Sequence, residues 1–457
     1  MDIAYVAGKK LFSTTTDILL KYLNKNTEDN LMKLVDWAQN FMGDIFDEKY
    51  YDKTRDLIRD KDSKWMKYLE SMIKETDPHV LKTHVLNLGY ESSLYGLKKI
   101  HKISDLHNCN VPWAILMDPT SACNLKCTGC WAAEYGHHLN LTFEEMDSII
   151  EQGKELGTHF FIFAGGEPLV RKDDIIKLCE KHNDCAFHAF TNGTLIDEKL
   201  CKDMQRVGNL SLAISIEGFR ESNDSRRGEG TFDKVMKAMD LMKEHGLLYG
   251  TSICYTSKNY KDVTSDEFYD MLIDKGVRFS WYFHYMPIGN DASVELLPNK
   301  DQREYVMKRI RETRALKGGK PIFLIDFQND GPAVKGCIAG GKNYLHINAN
   351  GDVEPCVFIH YSNANIREVS LLEALKQPLF MAYRENQPFN ENHLMPCPML
   401  ENPEFIEKMV KETNAKSTDL ISPERVEDLV AKTKPYAEQW KDRAEELWNE
   451  MMAVKSR

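Results

Sequence analysis

Six short apolar or aromatic runs punctuate the middle of the chain: WAILMD at 113, HFFIF at 159, CAFHAF at 185, LSLAISI at 210, YGTSICY at 249 and RFSWYFHY at 278. Amphipathic helical stretches separate them, and strand–helix alternation of this kind packs as a parallel sheet covered by helices. Six units without spare strands predict an α/β fold, either a partial (β/α)6 TIM-like barrel or an open curved sheet. In both, ligands bind at the carboxyl ends of the strands.

Two connecting helices are well marked. Thr142 and Glu145 form a capping box ahead of the stripe Phe143, Met146, Ile149, Ile150 and Gly153. The second runs from Thr231 to Gly246, with Phe232, Val235, Met236, Met239 and Met242 expected on the buried side as packing residues.

Four units are expected. Residues 1–110 read as a helical N-terminal domain in which Leu31, Leu34, Val35, Ala38, Phe41, Met42 and Ile45 share a face, suited to packing on the rest or to a lipid or partner surface. Residues 111–320 carry the barrel. Beyond 320 the strand–helix rhythm stops; in 321–400, YLHINANGDVEPCVF predicts two short strands around the turn NANGD. Residues 401–457 read as charged, covering helices, with Trp440 and Trp448 as anchors.

At 457 residues, 42% hydrophobic and 28% charged, the chain has a globular composition, and its net charge of −11 argues against a general nucleic-acid surface. No uncharged apolar run reaches the roughly 18 residues of a membrane span, and MDIAYVAGKKLFSTTT does not read as a secretory signal. The expected location is the cytoplasm. There, clustered cysteines among the eleven suggest metal and scattered ones suggest core thiols.

DPTSACNLKCTGCWAAEYG places Cys123, Cys127 and Cys130 directly after the first strand, with no fourth cysteine nearby. A four-iron cube offers four corners, so three thiolates leave one iron open to chelate a small molecule. Zinc held with His137 or His138 is the rival reading, and unrelated core cysteines a third.

The neighbouring motifs separate these readings. C-x3-C-x2-C followed by Trp131 resembles the cluster loop of the radical S-adenosylmethionine (SAM) superfamily. Gly165, Gly166, Glu167 and Pro168 in AGGEP resemble that family's motif for the methionine amino group; Thr191 and Asn192 in FTNGT resemble its Thr-Asn-Gly turn. AISIEG resembles its Ser-x-Asp-Gly strand end, with Glu217 replacing the more usual aspartate, and strand alternation puts Ser211, Ala213, Ser215 and Glu217 on the barrel-facing side. NDSRRGEGTF resembles the family segment that ends in Arg-Gly before a helix, which implies Arg227, with Arg226 as the alternate, as the candidate partner for the methionine carboxylate. The resemblance spans Trp113 to Gly289. It implies a reduced [4Fe-4S] cluster that donates an electron to bound S-adenosyl-L-methionine, giving a 5′-deoxyadenosyl radical that abstracts hydrogen. It also implies anaerobic chemistry and a reducing partner such as flavodoxin or ferredoxin.

Cys337, Gly351 and Cys356 resemble the opening of the SPASM or twitch auxiliary-cluster domains, but the dense cysteine run that usually follows is reduced to Cys397. At most one auxiliary iron–sulfur cluster is expected, on Cys337, Cys356 and Cys397; three core thiols are the alternative. The fourth position falls to a non-cysteine group, with His346, His360 or Asp352 as candidates, or stays open for substrate. Cys109, Cys179, Cys185, Cys201 and Cys254 lack ligand spacing and are expected to be buried thiols.

On the sixth strand the aromatic set Phe279, Trp281, Phe283 and Tyr285 is expected on the helix-covered side, with Ser280, Tyr282 and His284 facing the interior. Tyr282 and His284 would be proton carriers or satisfied interior groups. Three functions follow: a radical enzyme for a small-molecule or lipid-like substrate with the N-terminal domain shaping the site, a peptide maturase, or an electron-transfer protein. The last has no use for GGEP and the ribose-side motifs.

Overall fold

The computed structural model describes residues 1–457 apart from 1–4, 6–7, 11, 15, 18–26, 43–47, 61, 291 and 456–457. The six expected strands are present as β1 (Ala114–Met117), β2 (Phe160–Phe163), β3 (Ala186–Thr191), β4 (Leu210–Ser215), β5 (Tyr249–Tyr255) and β6 (Phe279–His284). They pair in chain order, all parallel, giving the partial barrel core.

The sheet goes further at both edges. A seventh strand, β7 (Phe323–Asp326), pairs parallel with β6, so the rhythm does not stop at 320. Its helix, Lys300–Thr313, carries a signal in the sequence: an Asn299/Gln302 capping box and buried Val306, Met307 and Ile310. At the other edge the expected pair around NANGD is β8 (Tyr344–Ile347) and β9 (Val353–Glu354), and β8 also pairs parallel with β1. Only a four-residue helix, Gly331–Val334, precedes β8, so no amphipathic stripe announced it.

Alternation sorts the strands into two faces. Ile115, Met117, Phe161, Phe163, Phe187, Leu212 and Ile214 meet Met146, Ile149, Ile150, Val235, Met239 and Met242 of the helices in one core. Both marked helices form where expected, Phe143–Leu156 behind a complete Thr142/Glu145 box and Thr231–Glu244 followed by Gly246 at φ 59. Ala114, Leu116, Ile162 and Ala164 face the other way, toward the C-terminal elements.

The N-terminal helices close the barrel at the amino ends of the strands, opposite the site. Tyr68 donates to the Arg278 carbonyl (3.0 Å), Asn87 Nδ2 to that of Cys185 (2.7 Å), and Trp113 Nε1 to that of Ser92 (3.2 Å). In the helix Thr27–Met42, Leu31 and Val35 are buried with Tyr51, Ile58 and Met66. The side chains of Leu34, Ala38, Phe41 and Met42, and all of Ile45, lie outside the described residues. At the other end Trp440 is fully buried in the helix Val426–Lys455, donates to the Leu394 carbonyl (2.9 Å) and carries Arg303 stacked 4.2 Å over its ring. Among the described residues no helix is long and apolar enough to cross a membrane.

Candidate active site

The cysteine loop leaves β1 and is held from beneath by the motif after β2. Gly166 N–H donates to the Thr120 carbonyl (3.0 Å) and Glu167 N–H to that of Ala122 (2.9 Å). A Cβ on Gly166 would lie 2.3 Å from the Ala122 oxygen, so what first requires glycine here is the loop's own backbone. Glu167 is fully buried, caps the turn Pro168–Arg171 by accepting from Leu169 N–H (2.9 Å), and accepts from Thr191 Oγ1 (2.6 Å) and Asn192 N–H (2.7 Å). Pro168 fits as the first residue of that turn, where its missing donor is not needed.

From the other side, Thr128 N–H donates to the Arg226 carbonyl (3.0 Å), joining the loop to the helix Arg220–Arg227. Gly129, at φ 65, lies so close to the Tyr285 ring that a Cβ would approach within 2.7 Å. Asn192 Nδ2 donates to Asn124 Oδ1 (2.8 Å) and stands 4.0 Å from Cys123 Sγ.

These contacts put Cys123, Cys127, Cys130, Gly165, Gly166, Glu167, Thr191, Asn192, Ser215, Arg226 and Arg227 around one cavity of about 420 Å³. Of the expected contact residues only Pro168 and Glu217 are not in its wall. Glu217, fully buried, lies under the two arginines: Oε1 accepts from Arg226 Nη1 (2.6 Å), Arg227 Nε (2.9 Å) and Arg227 Nη2 (2.6 Å), and Oε2 from Cys254 N–H (3.1 Å). Arg227 Nη1 stands 4.0 Å from Cys127 Sγ, which occupies its remaining nitrogen. Arg226 Nε is buried without a partner.

Both cysteine groups fit iron–sulfur chemistry better than a single ion. A tetrahedral zinc with bonds of about 2.3 Å draws its sulfurs to roughly 3.8 Å of one another. Among the described residues the only three or more ligating side chains with atoms within 4.8 Å of each other are Asp147, Glu151 and His182, and the cysteine triads are wider. His137 and His138 are exposed, and His137 Nδ1 faces the Ser121 carbonyl (3.4 Å). The amide two residues on faces the sulfur at Cys123 (Leu125, 3.4 Å), Cys356 (Phe358, 3.5 Å) and Cys397 (Met399, 3.4 Å). Ala132 and Ala339 amides do the same for Cys130 and Cys337. Such donors stabilise thiolates. Burial, the largest cause, pushes Cys123 and Cys337 up to about 11 and Cys356 to about 12 despite these donors, and the positive irons of a cluster would supply the missing compensation.

Gly351, at φ 86, turns the hairpin that returns Cys356, as expected. The three candidates for a fourth ligand are all engaged elsewhere. His346 lies between Asp118 (3.0 Å) and Glu354 (2.6 Å), His360 against Asp419 (2.6 Å), and Asp352 accepts from Asn350 (3.0 Å) and Asn365 (2.9 Å).

The sixth strand is turned over relative to expectation. Trp281 and Phe283 line the cavity with Phe190, Phe327 and Phe358, whereas Tyr282 points among the helices and donates to the Val263 carbonyl (2.6 Å). A wide apolar cavity takes the larger rings, and a phenol with a carbonyl partner suits the helix side. His284 does line the cavity, but its nitrogens lie 2.6 Å from the Tyr285 carbonyl and 2.7 Å from Tyr436 Oη; burial holds it near about 3, so it is a satisfied neutral group. Sequence reasoning also missed Cys254. It lines the cavity with Ser252, two positions back on β5, and that alternation was its only signal. Cys109, Cys179, Cys185 and Cys201 are core thiols as expected.

Residues 117–272 match the family model of the radical SAM superfamily, and residues 337–399 that of SPASM, described as an iron–sulfur cluster-binding domain. The chain is similar to the Fe-coproporphyrin III synthase of Methanosarcina barkeri, 29% identical over 48% of this chain and 56% of that protein, so it spans about half of that relative's length. It is 26% identical to the PqqA peptide cyclase of Gluconobacter oxydans over 70% of this chain and 94% of that protein. Among solved structures, Streptococcus suis SuiB bound to precursor peptide SuiA shares the fold at a TM-score of 0.53 and 19% identity, covering 63% of this chain and 70% of that one.

Proposed function

We propose a reaction and a substrate class from one premise: this chain is a radical SAM superfamily enzyme that carries a SPASM iron–sulfur cluster-binding domain. Its cofactors are a [4Fe-4S] cluster and S-adenosyl-L-methionine, with an auxiliary iron–sulfur cluster in the SPASM region. When bound, they supply one-electron cleavage of the SAM carbon–sulfur bond and a 5′-deoxyadenosyl radical for hydrogen abstraction.

In this reading Cys123, Cys127 and Cys130 hold the first cluster and Cys337, Cys356 and Cys397 the auxiliary one. Gly165 and Gly166 present carbonyls to the methionine ammonium, with Glu167, Pro168, Thr191 and Asn192 fixing that edge. Ser215 takes the ribose side. Arg226 receives the methionine carboxylate, because its Nε has no other partner, while Arg227 and Glu217 position it. Residues 1–110 close the barrel floor, 111–320 form the barrel, 321–400 the cluster region and 401–457 the covering helices. The enzyme works in the cytoplasm with a flavodoxin or ferredoxin as reductant.

The substrate is a small, largely apolar, flat or lipid-like molecule. The observation that carries this is the wall of Phe190, Trp281, Phe283, Phe327 and Phe358 beyond the cysteine loop. Such a wall excludes water from a radical and holds a ring or chain by contact. Likeness to a coproporphyrin synthase agrees with it. The likeness to a peptide cyclase, over 94% of that protein, favours a peptide as the second reading.

The test is anaerobic reconstitution with iron and sulfide, reduction with SAM, and assay of 5′-deoxyadenosine. Cys127→Ala is expected to abolish product; a cluster-loaded wild type that makes none, just like this control, overturns the activity. Product that rises with an organic-solvent extract of cells and not with a peptide fraction supports the small-molecule class. The reverse selects the peptide.

A further inference from the structure

Two buried tyrosines pack in the same cluster as the auxiliary thiols. Tyr344 Oη lies 2.5 Å from Cys356 Sγ. Tyr383 Oη is buried and has no hydrogen-bond partner. Both belong to the apolar cluster that contains Cys356 and against which Cys337 and Cys397 pack. Gly340, three residues after Cys337, admits the Tyr383 ring, since a Cβ there would lie 2.6 Å from Tyr383 Cβ. The Tyr383 hydroxyl lies within electrostatic range of the Cys337, Cys356 and Cys397 sulfurs.

A buried O–H without an acceptor is costly and calls for an explanation. The nearby carboxylate does not supply one: Glu401 is paired with Arg303 (2.7 Å) and accepts from Cys397 N–H (2.7 Å). A cluster bound to Cys337, Cys356 and Cys397 would present several anionic sulfurs, which are acceptors. Hydrogen bonds to such sulfurs drain charge and favour the reduced state.

We propose that Tyr383, with Tyr344, donates hydrogen bonds to the sulfurs of the auxiliary cluster and so raises its reduction potential; this rests on Cys337, Cys356 and Cys397 being its ligands. Both are positioning residues. Tyr344 has a second face: its ring is part of the cavity wall, so the group that touches Cys356 also touches the substrate space.

The experiment compares wild type, Tyr383→Phe and Tyr344→Phe, each reconstituted anaerobically, by iron content and an EPR-monitored redox titration. Tyr383→Phe removes only an unpartnered oxygen, so the variant is expected to fold. The expected result is about eight irons per chain in all three, from two four-iron clusters. The auxiliary signal should titrate at lower potential in both variants while the first cluster's potential stays fixed. Unchanged auxiliary potentials with iron retained overturn the proposal and leave the ligand assignment standing. About four irons and no second signal in wild type overturn the ligand assignment itself, and the proposal with it.

Discussion

Thr191 Oγ1 donates to Glu167 Oε1 across 2.6 Å, tying the motif after β2 to the turn after β3. Two further donors, Leu169 N–H and Asn192 N–H, complete the shell of this buried carboxylate. Glu167→Ala would orphan all three donors at about 1–3 kcal/mol each before relaxation. A clear loss of melting temperature is expected, together with loss of SAM binding by calorimetry. Thr191→Val removes one donor and should cost about 1 kcal/mol while leaving binding detectable.

Glu217 balances two guanidinium groups that are themselves only slightly exposed, at 13% and 12%. Removing one member of a buried ionic set typically costs about 3–5 kcal/mol, because the remaining charge is left uncompensated. Glu217→Ala is therefore expected to lower stability by about that amount in urea unfolding. Glu217→Asp should recover part of that loss.

His346 lies buried between Asp118 and Glu354, whose charges hold its imidazolium up to about 10 despite burial. The folded state then keeps a proton that the unfolded chain releases near 6.5. This contribution is complete below about pH 6.5 and is lost as pH rises toward 10, with a slope of at most about 1.4 kcal/mol per pH unit. Chemical unfolding of the apoprotein at a series of pH values should show stability falling across that window. His346→Gln should flatten this slope; an unchanged slope assigns it to other groups.

Trp281 Nε1 is buried without a partner in the wall of the cavity. A substrate acceptor would satisfy it. Trp281→Phe keeps the aromatic surface and removes the donor, so roughly 2- to 10-fold weaker substrate binding is expected, from about 0.5–1.5 kcal/mol. Substrate-free 5′-deoxyadenosine formation should not change, since none of the SAM-side contacts involves this residue.

How the sequence came to show one half of the site and not the other is plain in β4 and β6. In β4, Leu212 and Ile214 of the helix-packed core alternate with Ser211, Ala213 and Ser215, none of which joins that core, and Ser215 lines the cavity. The rule that apolar residues seek the helix layer worked there because the two sets differ in polarity. In β6 both sets are bulky, and the interior is itself apolar where the substrate space lies, so Trp281 and Tyr282 exchanged places. The cysteine, glycine and arginine motifs were legible because their chemistry depends on local spacing. The ion pairs of His346 and His360, and the contact of Tyr344 with Cys356, join segments through folding and leave no local pattern.

The two cysteine groups should separate cleanly by iron count. Cys127 sits in the loop pinned by Gly166 and Arg226, while Cys356 is carried by the β8–β9 hairpin, so neither loop depends on the other for its backbone contacts. Cys127→Ala and Cys356→Ala should each lower iron from about eight to about four per chain, in different places. Loss at Cys127 removes the signal that responds to added SAM and abolishes 5′-deoxyadenosine. Loss at Cys356 should leave that response and substrate-free cleavage in place, because the side of the cavity proposed for SAM is built from β1 to β5 and the helix Arg220–Arg227. EPR with and without SAM, read beside the iron content of the same samples, checks both. Equal loss of SAM response in the two variants would mean that the SPASM region is needed to hold the first cluster, against the separate backbone support of the two loops.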